Sequence, residues 1–135
     1  MNTPSAFEHL MAAAAAQVDP QVLLFVFAGA GVSIDATPAQ RRNFERGAGG
    51  ELTPLMCVDK DLAELSSFDA LVAESRTVGP PWQVVFTAAL SGANGKRPSG
   101  AAVEKALEAM VSRVRNGAVR GLLALSARGD VLSLA

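Results

Sequence analysis

Six large apolar residues in a row, Val22-Leu23-Leu24-Phe25-Val26-Phe27, constrain this chain more than any other feature. The run has neither the two-residue alternation of a half-exposed strand nor the spacing of an amphipathic helix. It is also far short of the roughly 18 apolar residues that a membrane span needs. A run of this kind fits a strand covered on both faces, as in the middle of a parallel or mixed sheet. Half of all residues are hydrophobic, which supplies the apolar surface for such a core and argues against disorder.

The segments around this strand alternate in type. Residues 4–18 carry Phe7, Leu10, Met11, Ala14, Ala15 and Val18 at helical spacing, with Ser5 and Glu8 placed for a capping box. Thr37-Pro38-Ala39-Gln40 reads as the cap and first turn of a short helix holding Arg41, Arg42, Phe44 and Arg46. Residues 52–58 read as a second strand, which Pro54 assigns to a sheet edge or interrupts at its start. A turn opening at Asp61 and Glu64 leads to a helix from Ser66 or Ser67, with Phe68, Leu71, Val72 and Ser75 on one face. Residues 82–90 form a third apolar strand. Ser99 caps a helix with Val103, Ala106, Leu107, Met110, Val111 and Val114 along its core side. Residues 119–125 and 131–134, around the turn Ala127-Arg128-Gly129-Asp130, read as a closing β-hairpin. The expected architecture is one α/β domain over residues 1–135. It has a mixed sheet of about five strands, helices packed on it and a C-terminal β-hairpin.

Charge and cysteine content narrow the function classes. Twelve Lys and Arg against 13 Asp and Glu give no field to gather nucleic acid or an anionic membrane. Aromatics amount to six Phe and Trp82, too few for base-stacking platforms. The lone Cys57 cannot close an internal disulfide, so nothing points to an oxidising compartment. The alanines at 12–16 lack the basic start of a signal peptide, and the chain is read as beginning at or near Met1 in the cytoplasm.

Two glycine-rich segments follow apolar strands and are the candidate ligand-binding sites. In the first, Gly29, Gly31 and Ser33 could let backbone amides approach an anion. The third glycine of a dinucleotide fingerprint would fall at Ile34, so the full pattern is missing. In the second, Gly92, Gly95, Lys96 and Arg97, with Ser99 at the next helix start, could hold a phosphate or carboxylate. A phosphate loop would need its first glycine at Leu90. If the strands are parallel neighbours, both segments share one edge of the sheet, the usual place for a ligand crevice. Cys57 has no base beside it in sequence and reads as a small buried hydrophobe, while His9 reads as a surface residue. Asp59, Asp61 and Glu64 match no metal-ligand spacing and read as capping and solvated groups. Arg128-Gly129-Asp130 spells an adhesion tripeptide, but a glycine turn explains it. No catalytic residue, metal ligand or cofactor is assigned.

Gly29-Ala30-Gly31-Val32-Ser33 resembles the nucleotide-binding signature of sirtuin deacylases. The likeness stops after five residues, because those enzymes use a histidine deep in a longer chain and usually four zinc cysteines. Residues 23–29, 52–60 and Gly79-Pro80-Pro81-Trp82 resemble a family of short bacterial proteins, some labelled ribonucleotide reductase subunit alpha. One cysteine cannot supply the radical thiol and reducing pair of that enzyme, so the label implies no such activity here. The expected function is a non-catalytic cytoplasmic binding or accessory protein. It would engage a protein partner or a second copy of itself through spare apolar surface at residues 52–58, Trp82 and the closing hairpin. The alternative is a small-ligand or enzyme domain using the two glycine-rich segments.

Overall fold

The computed structural model describes residues 4–31, 38–39 and 51–133. Its centre is β1 (Gln21–Gly31), which carries the apolar run. On either side lie β2 (Glu51–Asp61) and β3 (Val84–Ser91), and β4 (Leu123–Leu125) pairs with β3, giving the order β2-β1-β3-β4. Every ladder is antiparallel. Because the pleat alternates, Leu23, Phe25 and Phe27 enter one apolar cluster, and Val22, Leu24, Val26 and Ala28 enter the other. All seven are at most 4% exposed, so the strand is covered on both faces, as its composition requires.

Three α-helices among the described residues supply the covers. α1 (Ala6–Ala15) and α2 (Phe68–Val78) lie on the first face, where Phe7, Phe68, Leu71 and Val72 meet Phe25 and Phe27. α3 (Gly100–Arg115) covers the second face with Val103, Met110 and Val114. Local sequence sets the helix starts. The Ser5 hydroxyl accepts from the Glu8 amide while the Glu8 carboxylate accepts from the Ser5 amide. The Ser67 and Ser99 hydroxyls accept from the amides of Ala70 and Ala102. The Glu64 carboxylate accepts from the Asp61 amide at 2.8 Å and opens a single 3-10 turn, Leu62–Glu64. The helix expected from Thr37 to Arg46 lies outside the described residues except at Pro38 and Ala39.

Among the described residues the sheet is four-stranded and antiparallel, which corrects the expected mixed sheet of about five strands. Strand–helix–strand alternation does run β2 and β3 in the same direction through α2, but β1 sits between them and opposes both. The chain also doubles back after β1, so that Gly31 pairs with Glu51. The closing hairpin reduces to one bridge, Leu125 to Val131, around a turn in which Gly129 has φ 86°. Val131 is 60% exposed, while Leu132 packs against the second apolar cluster and donates its amide to the Ala124 carbonyl at 2.9 Å. β2 is the edge strand that Pro54 suggested, and its register slips between the Phe27–Met56 and Ala28–Pro54 pairs, leaving Leu55 as a bulge. It continues through Asp59, Lys60 and Asp61, because an edge strand can hold charges that reach solvent.

Trp82 is not spare surface. It is 8% exposed, packs its ring edge-on to Phe27 at 5.0 Å, and donates its indole N–H to Ser75 Oγ at 2.8 Å. Ser75 Oγ–H passes the bond on to the Val72 carbonyl at 2.6 Å. Trp82→Phe removes this link and part of the ring volume. The expected loss is roughly 1–3 kcal/mol of unfolding free energy in urea melts.

Candidate functional site

The first glycine-rich segment is strand rather than loop up to its last described residue. Gly29 and Gly31 belong to β1 and pair with Thr53 and Glu51, and Ala30 pairs with Leu52. The Ala30 amide donates to Gln83 Oε1 at 2.9 Å, so it is already occupied. Ser33 lies outside the described residues.

The second segment is a tight turn. Ala93 and Lys96 exchange two backbone hydrogen bonds of 3.0 Å, with Asn94 at φ 54° and Gly95 at φ 75° between them. Positive φ at both central positions is the primed turn that Asn-Gly favours. Its polar groups are largely occupied. The Gly95 amide donates to Asp19 Oδ1, Arg97 bonds Asp61 Oδ1 through Nε and Nη2, each at 3.1 Å, and Ser99 is spent as the α3 cap. Gly92 is required by close packing, because a Cβ there would lie 1.8 Å from the Lys96 carbonyl oxygen. Gly92→Ala is expected to cost roughly 1–3 kcal/mol in thermal or urea melts, whatever ligand is added.

The two segments do not meet. Ser91 pairs with Gln21 at the start of β1, whereas Gly29 and Gly31 lie at its far end, roughly 26 Å or more along the strand. Antiparallel pairing is the cause, since a shared edge needs parallel neighbours. His9 and Cys57 are also kept apart. His9 lies on α1, over the first face, while Cys57 pairs with Val26 and shares its face, on the α3 side. Among the described residues no three His, Cys, Asp or Glu side chains converge, and no helix is long and apolar enough to cross a membrane.

What the fold does build is a groove of about 670 Å³ between α3 and the edge strand β2. Val103, Leu107 and Val111 form its apolar side. Val103 is buried, while Leu107 and Val111 are half-covered; among the described residues the second face has one helix where the first has two. Cys57 and Asp59 supply the β2 wall, and Glu104, Glu108 and Arg115 the rim of α3. Cys57 is exposed, which corrects its reading as a buried hydrophobe: it stands on an edge strand facing the groove, and among the described residues nothing covers it. Arg97 closes one end, and its bond to Asp61 ties the end of β2 to the start of α3. Sequence reasoning placed Leu107 and Val111 on a core stripe. It missed the groove because their incomplete cover depends on how far α3 stands from β2.

The opposite face of β2 is closed more firmly. Lys60 Nζ lies 2.8 Å from Glu74 Oε1 on α2, and its side chain is only 17% exposed. The Glu74 hydrogen bond raises the Lys60 pKa above its ordinary value, outweighing the opposing effect of burial. A raised folded-state pKa on a base contributes stability below the unfolded value and loses it as pH rises through the folded value. Relative to Lys60→Met, the protein should therefore keep an advantage of at most about 1 kcal/mol at neutral pH and up to the ordinary lysine range. That advantage should vanish above the ordinary lysine range, as read from paired urea melts at several pH values.

The chain matches no protein-family model, no curated protein and no solved structure.

Proposed function

We propose that this chain is a non-catalytic cytoplasmic binding or accessory protein that engages another polypeptide through the groove between α3 and β2. The observation that carries this reading is the make-up of the groove: half-covered Leu107 and Val111 at its centre, with Asp59, Glu104, Glu108 and Arg115 around them. An apolar centre inside a charged rim is the anatomy of a protein–protein contact. The edge position of β2 supports it, because among the described residues nothing pairs with the outer side of this 11-residue strand. Pro54 and the Leu55 bulge protect part of that edge from indiscriminate strand pairing, which favours contact through side chains in the groove.

The test is a displayed-peptide selection on the wild-type protein, with counter-selection on Leu107→Asp. Recovered peptides should lose at least tenfold in affinity for the variant and should slow maleimide labelling of Cys57, the only thiol. Leu107 is not fully buried, so the variant should stay folded by circular dichroism. Peptides that bind both proteins equally and leave Cys57 reactive would overturn the reading.

A further inference from the structure

We infer that the polypeptide occupying this groove is a second copy of the same chain, docked with its α3 antiparallel to the first. The inference rests on the binding role proposed above and concerns only who the partner is. On α3, Glu104, Glu108, Val111 and Arg115 follow one another at steps of four, three and four residues. That spacing keeps them on one stripe along the helix, where a helix lying alongside can meet them one by one. All four line the groove.

Charge along this stripe is polar from end to end. Asp61 holds Arg97 and so fixes the end of β2 beside the start of α3, which puts Asp59 on the same half of the groove as Glu104. That half is acidic through Asp59, Glu104 and Glu108, because the Arg97 charge is already matched by Asp61. The other end carries Arg115. A stripe that is acidic over one half and basic at the other end is complementary to itself under a two-fold axis. In the antiparallel arrangement Arg115 of each copy meets Glu104 of the other, and Val111 of each lies beside Glu108 of the other. A parallel arrangement would set acid against acid and Arg115 against Arg115. The axis passes between Glu108 and Val111, so the two Glu108 side chains come near each other, and removing that charge should tighten the pair.

Sedimentation velocity of the full chain from micromolar to several hundred micromolar tests this, with circular dichroism and melting temperature confirming that each variant folds. The wild type should show a reversible monomer–dimer equilibrium that weakens with salt. Glu104→Arg and Arg115→Glu should each weaken it at least tenfold, and Glu108→Gln should strengthen it. Mixing the Glu104→Arg chain with the Arg115→Glu chain should restore dimers, since each reversed charge then meets its opposite. A monomeric wild type across this range would overturn the second-copy inference. If that monomer still binds peptides in a Leu107-dependent way, the binding reading stands and only the partner is wrong. A dimer indifferent to the charge reversals, or no rescue on mixing, would overturn the antiparallel arrangement.

Discussion

The fold depends on burying β1 completely. Once Leu23, Phe25 and Phe27 point one way and Val22, Leu24 and Val26 the other, both faces need cover. The strand's backbone groups must also be bonded along both edges, since a buried unpaired amide or carbonyl is costly. β2 and β3 meet the second demand, and the three helices meet the first. Position in the chain then decides the layers: among the described residues, α1 and α2 reach one face and α3 spans the other. Hydrophobic burial at about 1.5–3 kcal/mol for each large side chain makes this strand a major source of stability.

Much of this was legible in the sequence for local reasons. The unbroken run gave away a doubly covered strand. Ser5, Ser99 and the Ser66-Ser67 pair marked helix starts, and the hydroxyls of Ser5, Ser67 and Ser99 make the capping bonds, each only a few residues long. The burial of Phe68, Leu71, Val72 and Ser75 followed from helical spacing. Pro54 pointed to an edge or to a break at the strand's start, because it offers no amide to a second neighbour, and the edge is what the pairing shows. Each of these signals lies within one element, where sequence distance and spatial distance nearly coincide.

What stayed hidden depends on pairing between distant segments. Nothing near Gly29 says that Thr53, Leu52 and Glu51 will take up the strand beside Gly29 and its two successors. A glycine-rich strand end and a glycine-rich ligand loop look alike until the partner strand is known. Strand direction has the same origin. The alternation from β2 through α2 and β3 to α3 was read correctly, yet it did not show that β1 would insert between β2 and β3. The separation of the two glycine-rich segments follows from that single fact. Trp82 was misjudged because its indole partner, Ser75, sits on another element, and the apparent excess of apolar surface disappears once they meet.

The groove follows from the same asymmetry that organises the core. One helix of 16 residues, about 24 Å long, is set against a sheet face that β2 extends with an 11-residue strand. α3 reaches the central strand with Val103, Met110 and Val114, and the cost of that placement is borne at the sheet edge, where Leu107, Val111 and Cys57 lack full cover. On the other face, Lys60 reaches Glu74 and closes the equivalent margin against α2 with an ion pair. The two sides of β2 therefore differ in kind. One is finished within the chain, while the other presents half-covered apolar residues beneath charges that are ordered along the helix. Uncovered apolar area alone would favour indiscriminate association. Ordered charge above it selects orientation and register, which is what distinguishes a docking surface from a packing defect.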